Sequence, residues 1–286
     1  MHIEHSDEKW TEIIRPKSSL FDIKLKELWS YRDLVLLFVK RDFVKDYKQT
    51  ILGPLWFFIQ PLIQTLTYFF IFSKVAKIGT GKLPPILFYL SGITIWTYFA
   101  DCFNKTSTIF ITNAAVFGKV YFPRLVTPIS IVISSMVKFG IQLALFILIY
   151  VYYLIFENVD IHLNFTILLF PFYVIIMATL GLGLGIIFSS LTTKYKDLVF
   201  LLQFGIQLLM YATPVIYPLA NLSAKYKSYL LMNPITPIIE AIRYGLFGDG
   251  IFDIWYLAYS LLFSIIILIV GVLLFNKVEK SFMDTI

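Results

Sequence analysis

The sequence predicts an all-α integral membrane protein with six transmembrane helices, an N-terminal amphipathic interfacial helix and short re-entrant helices before the last span. Hydrophobic residues make up 58% of the 286 residues, charged residues make up only 15%, and the mean hydropathy is +0.79. A soluble domain of this length could not bury so much apolar surface, so the bilayer must solvate much of the chain. A series of apolar runs along the chain supports the same class.

The N-terminal part of the chain is expected to lie outside the bilayer core. Residues 1–19 are polar and are predicted to form a flexible cytosolic segment. Residues 20–50 mix apolar and basic residues at steps of three and four, which is typical of an amphipathic helix in the membrane interface. Such a helix could be a peripheral anchor or a lever that a partner protein contacts. A turn at Gly53-Pro54 would then carry the chain into the membrane.

Six apolar runs are predicted to cross the membrane. They cover residues 52–73, 86–106, 128–156, 166–190, 198–213 and 254–275. Pro54 suits the first turn of a helix, where its missing N–H is not needed, whereas Pro61 should kink the first span. The third span is too long for one upright crossing, so it must tilt or extend beyond the bilayer. Gly181, Gly183 and Gly185 should permit close helix contact in the fourth span.

Polar side chains inside these spans need partners. Asp101 and Lys105 are four residues apart and could pair with each other. Lys138 is expected to extend to the interface, and pairing with Asp101 is the less favoured alternative. Two pairs of amides, Gln60 with Gln64 and Gln203 with Gln207, also have a spacing of four. Each pair shares a helix face, which should look at protein or water because amides are unfavourable in lipid.

Two segments interrupt the spans. Residues 107–120 are polar, and Asn113 could be the N-cap of a short helix that stops at Gly118. Residues 214–250 are broken by prolines into moderately apolar pieces, which predicts helices that dip part-way into the bilayer. Six spans put both termini on one side, and the distribution of Lys and Arg favours the cytosol. Residues 277–286 are then a cytosolic tail.

Several kinds of chemistry lack the residues that they need. The single Cys102 excludes an internal disulfide and a cysteine-cluster metal site, and three histidines make a histidine-based site unfavoured. A Gly-x-x-x-x-Gly-Lys-Ser/Thr motif is absent, so the chain is not expected to bind ATP by that route. The spans hold no series of carboxylates typical of a proton relay, which argues against a proton-driven transporter.

Several ordered motifs resemble those of one family. They are Arg41-Asp-Phe, Tyr47-Lys-Gln-Thr-Ile-Leu-Gly-Pro-Leu-Trp56, Gln60-Pro61, Leu90-Ser-Gly-Ile with Trp96, Phe122-Pro with Pro128, Tyr195-Lys-Asp197, Pro214-Val-Ile-Tyr-Pro218 and Asn233-Pro234 with Pro237. From about residue 28 onward the chain resembles the permease subunit of ABC-2 type polysaccharide exporters. The subgroup it resembles most is the O-antigen (Wzm-type) exporters, with capsule and teichoic-acid exporters as relatives. Lys196 stands where Arg is more usual, which keeps the charge.

This resemblance implies a transport subunit and not an enzyme. It implies a homodimer of this chain with two copies of a separate ABC ATPase, which would bind ATP and Mg²⁺ while this chain holds no cofactor. The dimer would enclose a channel for a lipid-linked, O-antigen-like polysaccharide across the cytoplasmic (inner) membrane, with no nucleic acid involved. Residues 28–48 would lie at the cytosolic mouth and residues 214–250 near the outer mouth. Residues 107–120 would hold the ATPase-coupling helix, with candidates Asn113, Val116, Phe117, Gly118 and Lys119.

Aromatic and amide side chains suit a sugar channel, because rings cover apolar C–H faces and amides bind hydroxyls. The channel candidates are Trp56, Phe57, Gln60, Gln64, Tyr68, Trp96, Tyr98, Gln203, Gln207, Tyr211 and Tyr217. Helix packing or an interfacial belt is the open alternative for the aromatics, and hydrogen bonds between helices for the glutamines. Arg41, Lys45 and Lys48 could bind the lipid pyrophosphate at the cytosolic interface, and anchoring to anionic lipid is the alternative.

Two other functions remain open from the sequence. The first is an ABC-2 permease for capsule, teichoic acid, or a drug or small lipid. The second is a membrane-embedded glycan polymerase or ligase, which would need charged residues clustered at one outer loop. The region before the last span offers only Glu240, Arg243, Asp249 and Asp253 for such a cluster.

Overall fold

A computed structural model describes residues 25–48, 50–157, 159 and 162–283, without the side chains of residues 25, 26 and 278–283. The regular elements of these residues are helical. The α-helices are α1 (Leu25–Ser30), α2 (Arg32–Tyr47), α3 (Trp56–Tyr68), α4 (Pro85–Ser107), α5 (Ile109–Thr112), α6 (Ala114–Phe117), α7 (Val126–Phe156), α8 (Phe170–Lys194), α9 (Leu198–Tyr211), α10 (Ala224–Leu231), α11 (Thr236–Phe247) and α12 (Ile254–Met283). The predicted flexible segment 1–19 lies outside the described residues.

Five helical stretches of the described residues are long and apolar enough to cross a membrane. They are Gly53–Val75, Pro85–Ser107, Val126–Phe156, Phe165–Lys194 and Ile254–Lys277, which coincide with five of the six predicted spans. The run predicted at 198–213 forms α9, which has 14 residues. At 1.5 Å per residue such a helix is ~21 Å long, against about 30 Å of hydrocarbon. By length, α9 does not cross the bilayer alone.

The first span begins and ends with irregular helix. A 3₁₀ turn, Gly53–Leu55, precedes α3, with Gly53 at a φ of +52° and Pro54 in the first turn as predicted. The helix α3 then continues through Pro61, and a π-helical segment, Phe69–Val75, extends it. The chain therefore enters this span at a glycine because the left-handed turn there disfavours any residue with a side chain.

Close helix packing involves glycines on two faces of α8. A Cβ on Gly185 would lie 2.7 Å from Cβ of Thr106, and Gly181 is equally close to α4. A Cβ on Gly183 would lie 2.8 Å from the backbone nitrogen of Leu268 on α12. The close contact that the spacing predicted is therefore present, and it joins α8 to two neighbours. The helix α4 lies at the centre of this arrangement and is buried along most of its length.

The N-terminal helix differs from its prediction. The structure has two helices, α1 and α2, separated at Tyr31. Val35 and Phe38 are buried in a cluster with residues of α7, whereas Leu36 and Leu37 are 61% and 59% exposed. Apolar side chains thus lie on more than one face of α2, so the predicted single apolar face is not present. Packing against α7 holds this helix on the bundle.

Two segments in the last part of the chain, residues 214–250 and the predicted tail, can be compared with their predictions. Residues 214–250 form a 3₁₀ turn (Leu219–Asn221) and the short helices α10 and α11, and α11 is almost fully buried. Short helices were predicted here, although their depth in the bilayer remains a prediction. The last helix, α12, continues to Met283, so most of the predicted tail 277–286 is helical.

Candidate functional site

A row of polar side chains runs along one face of α4. Thr97, Asp101 and Lys105 are spaced by four residues, which places them on the same face. Their neighbours on α7 follow in the opposite order, Gln142 beside Thr97 and Lys138 beside Asp101, so the two helices run antiparallel. We call these five residues, together with Asp46 of α2, the polar seam.

Two ion pairs lie in the part of the polar seam nearer the C-terminus of α4. Nζ of Lys138 lies 2.8 Å from Oδ2 of Asp101, and these side chains are 15% and 22% exposed. Nζ of Lys105 donates to Oδ2 of Asp46 at 2.7 Å, with exposures of 32% and 35%. The expected local pair of Asp101 with Lys105 is therefore wrong, and the less favoured partner, Lys138, is the one found. Pairing between helices gives each carboxylate its own ammonium group.

A small pocket lies at the other end of the polar seam, beside Thr97 and Gln142. It has a volume of about 350 Å³ and is lined by Gln60, Pro61, Ile63, Gln64, Thr97 and Gln142. We call it the amide pocket. Nε2 of Gln64 donates to the hydroxyl of Tyr68 at 3.1 Å. Among the described residues, the side chains of Gln60, Thr97 and Gln142 have no hydrogen-bond partner, so their polar groups are available in the pocket.

Two residues of the amide pocket were not among the predicted site residues. Gln142 is a lone amide in the 31-residue apolar helix α7, and this contrast was a signal. Thr97 precedes Asp101 by one turn, a spacing that also places it on a polar face. The sequence did predict that Gln60 and Gln64 share a face, and the structure places both at the pocket.

A second polar face lies on α9. Gln203, Gln207 and Tyr211 are spaced by four residues, and all three are exposed on the single chain. The hydroxyl of Tyr217, which is half-buried, donates to the backbone carbonyl of Tyr211 at 3.2 Å. Trp56 on α3 is also exposed, at 38%. These channel candidates therefore remain at a surface that a partner could face.

The other aromatic candidates pack inside the protomer. Phe57, Tyr68, Trp96 and Tyr98 are each at most 9% exposed. The ring of Phe57 lies 5.5 Å from that of Phe43 on α2, and the Tyr98 ring lies 4.9 Å from a ring of α7. The hydroxyl of Tyr68 donates to the sulfur of a methionine on α9 at 3.5 Å. In this conformation these four rings hold helices together, and a channel-lining role stays a prediction.

The coupling segment has the predicted short helix, but its caps are different. Asn113 directly precedes α6 and Gly118 directly follows it. The Asn113 amide does not cap the helix: Nδ2 donates to the carbonyl of Ile109 at 3.2 Å, and Oδ1 accepts from Nη2 of Arg41 at 3.1 Å. Gly118 has a φ of −82° and so does not form the left-handed stop that was expected. The bond to Arg41 joins this segment to α2.

The surface of the coupling segment is exposed. Phe117 is 4% exposed and packs into a cluster with α2 and α7, whereas Val116 is half-buried. Gly118 and Lys119 are exposed, and the exposed apolar residues Val120 and Tyr121 follow them. A buried phenylalanine that fixes the helix, beside exposed apolar residues, suits a surface for a protein partner.

The predicted interfacial cations gather on α2. A shallow pocket of about 570 Å³ is lined by Leu37, Lys40, Arg41, Val44, Lys45 and Lys48. We call it the cationic pocket. The sequence reasoning missed Lys40, although its helical spacing from Val44 and Lys48 was a signal. Arg41 is partly engaged, because its Nε donates to Asp42 at 2.8 Å and its guanidinium lies 4.4 Å from the centre of the Phe38 ring.

The charges of α11 lie inside the bundle. The Arg243 guanidinium donates to the carbonyls of Pro214 and Val215 and lies 3.8 Å from the centre of the Phe88 ring. Oε1 of Glu240 is 3.4 Å from Nη1 of Arg243, and both side chains are at most 4% exposed. Burial raises the pKa of Glu240, and the Arg243 guanidinium opposes this shift. These two charges fix the fold, so they do not form the outer cluster that a membrane enzyme would need.

Comparison with known proteins identifies the family. Residues 33–247 match the model of the ABC-2 type transporter family, which is well over half of the chain. The chain therefore belongs to the ABC-2 type transporters, as its motifs predicted.

The chain is similar to curated permeases over most of its length. It is 29% identical to the O-antigen export system permease protein RfbA of Klebsiella pneumoniae, over 92% of this chain and 98% of that protein. It is 26% identical to the protein of the same name from Myxococcus xanthus, over 77% and 82%. It is 24% identical to the polysialic acid transport protein KpsM of Escherichia coli, over 82% and 89%.

Proposed function

We propose that this chain is the membrane subunit of an ATP-driven exporter that moves a lipid-linked, O-antigen-like polysaccharide across the cytoplasmic membrane. The observation that carries the proposal is the similarity to an O-antigen export permease over nearly the full length of both chains. Capsule polysaccharide is the second candidate cargo. It is favoured by the similarity to KpsM and, at 21% identity, to the capsule export protein CtrC of Neisseria meningitidis.

The working exporter is a homodimer with two copies of a separate ABC ATPase. In this arrangement α9, together with the residues that follow it, completes a sixth crossing, and both termini lie in the cytosol. The exposed face of α9 supports the dimer, because Gln203, Gln207 and Tyr211 are polar groups that lipid would not satisfy. A second copy would turn this face toward a channel, with α10 and α11 as re-entrant helices near its outer mouth.

Coupling to the ATPase runs through the segment of α5 and α6. Its exposed residues Gly118 and Lys119 contact the ATPase, and the bond from Asn113 to Arg41 passes the movement to α2. The Asp46–Lys105 ion pair then connects α2 to α4, and Asp101–Lys138 connects α4 to α7. The movement that ATP binding causes in the partner is thus transmitted to the transmembrane helices through a short series of polar contacts.

The first experiment is to copurify the chain with the ATPase encoded beside it and to measure ATP turnover. A Gly-Ser linker in place of Asn113–Lys119 should lower turnover in the complex severalfold, since the coupling surface is lost. The equally long segment Asn221–Lys227, none of whose residues is buried, is the matched control and should tolerate the same linker. Failure to form a complex with any ATPase, or equal turnover in both linker variants, would contradict the coupling role.

The cationic pocket is proposed to hold the lipid diphosphate at the cytosolic interface. Lys40, Lys45 and Lys48 are its exposed cations, and Lys45 and Lys48 can be changed without breaking the bond from Arg41 to Asn113. Replacing both by Gln should reduce export severalfold with unchanged membrane insertion, because cations there attract anionic head groups. The exposed Lys225 and the half-buried Lys227 of α10 serve as the control pair. Normal export in the Lys45→Gln, Lys48→Gln variant would reject the site and leave lipid anchoring.

A further inference from the structure

We infer that the amide pocket binds one uncharged, hydroxyl-rich sugar ring of the passing polymer, and that Gln142 and Thr97 decide which ring it accepts. The inference rests on the proposed function and names a contact for it on α4 and α7. It therefore places a substrate contact in an open pocket between α3, α4 and α7 of each protomer, apart from the exposed face of α9.

The polar groups of the pocket argue for a ligand. Gln142 is only 2% exposed, and within the described residues neither its amide nor that of the exposed Gln60 makes a hydrogen bond. A buried amide without a partner is unfavourable, and more so in a protein that lipid surrounds. Each glutamine offers two donor hydrogens and an acceptor oxygen, and the Thr97 hydroxyl offers both. Neighbouring hydroxyls on a sugar ring, which also donate and accept, satisfy this set.

The shape and charge of the pocket narrow the ligand. A volume of about 350 Å³ lies at the lower end of the range of roughly 300–1,000 Å³ for small-molecule sites, which suits one ring. Pro61 and Ile63 provide an apolar wall for the C–H face of such a ring. The nearest cation of the polar seam, Lys138, is bonded to Asp101 at 2.8 Å and so is neutralised. A phosphate or carboxylate would find no unpaired cation among the described lining residues.

The test uses the single cysteine of the chain. Cys102 is fully buried, so a cysteine introduced at the pocket can be labelled selectively by a positively charged methanethiosulfonate reagent. The Thr97→Cys variant is expressed with the ATPase, in cells that make the polysaccharide and in cells whose polysaccharide synthesis is blocked. We expect labelling to be severalfold slower when the polymer is made. Thr67→Cys is the matched control, because Thr67 is exposed on α3 and its hydroxyl bonds its own helix.

A second variant separates contact from conformational change. Adding Gln142→Leu, which keeps the size but removes the amide, should abolish the protection of Thr97→Cys and lower export severalfold. Equal labelling rates with and without polymer, or no labelling in either state, would overturn the inference. Protection that persists with Gln142→Leu would also overturn it. Failure of the proposed function is seen separately, as polysaccharide that still reaches the surface of cells lacking this chain.

Discussion

The two faces of α4 differ in how they use polar groups and space. Toward α8 and α11 the helix is in close contact, and a Cβ on Gly92 would lie 2.9 Å from a guanidinium nitrogen of Arg243. Toward α3 and α7 it carries the polar seam, with two ion pairs and the amide pocket. One face of the same helix therefore fixes the fold, and the other leaves room and hydrogen-bonding groups for a ligand.

The difference shows that a polar side chain in a membrane bundle should be judged by its partners. Both Nη atoms of Arg243 donate to backbone carbonyls, and Nη1 also lies 3.4 Å from Oε1 of Glu240, so the guanidinium acts as a structural link between α11 and the Pro214–Pro218 turn. The Gln142 amide is as deeply buried but has no such partner among the described residues. Burial alone would have grouped these two residues, whereas their hydrogen bonds separate them.

The largest effect is expected from removing the guanidinium on the tightly packed face. Arg243→Met should destabilise the protein by about 3–5 kcal/mol, because Glu240 would be left as an uncompensated buried charge. The thermal midpoint of the detergent-purified protein measures this loss. The same substitution at the exposed Arg32 of α2 is the control and should leave the midpoint nearly unchanged. Similar midpoints for the two variants would remove the distinction between the faces of α4.

A smaller loss is expected where α8 touches α4. Gly185→Ala should destabilise by about 1–3 kcal/mol, since the added methyl would lie 2.7 Å from Cβ of Thr106 and force the helices apart. Gly140→Ala on α7 is the matched control, because nothing lies within 4 Å of its Cβ position. The control should be stabilised by roughly 0.5–1 kcal/mol through helix propensity. An unchanged stability of the Gly185→Ala protein would mean that the contact between α8 and α4 can accommodate a methyl group.

The smallest effects are expected on the polar seam. Double-mutant cycles with Asp101→Asn and Lys138→Met should give a coupling energy of about 0.5–3 kcal/mol. The more exposed pair, tested with Asp46→Asn and Lys105→Met, should give only about 0.2–1 kcal/mol, since water screens it. Thermal midpoints of the four variants and the two double variants measure both energies. A larger coupling energy for Asp46–Lys105 would contradict the expectation that the more buried pair is the more strongly coupled one.

The sequence predicted the features that depend on composition and local spacing. Five of the six predicted spans coincide with helices long and apolar enough to cross a membrane, because a run of about 20 apolar residues is visible without knowing its neighbours. The shared face of Gln60 and Gln64 follows from helical spacing in the same way. The alignment of α4 against α7 depends on side chains far apart in the chain. The sequence therefore favoured the local pair of Asp101 with Lys105 over the pair of Asp101 with Lys138 that the structure has. The burial of Trp96 and Tyr98 within the protomer was not predicted, because hydropathy does not show that α4 is the central helix.

The glycines of α8 have a mechanical consequence. A Cβ on Gly271 of α12 would lie 2.8 Å from the carbonyl oxygen of Gly183, while Gly185 is equally close to α4 on the other side. Backbones in such close contact cannot slide past each other without a clash, so we expect α4, α8 and α12 to move as one rigid group. We therefore expect relative motion during a transport cycle to involve helices outside this group, α2 and α7 among them. Ion pairs join both of these helices to α4, Asp46 with Lys105 and Lys138 with Asp101, so these polar contacts lie where the rigid group meets the rest of the bundle.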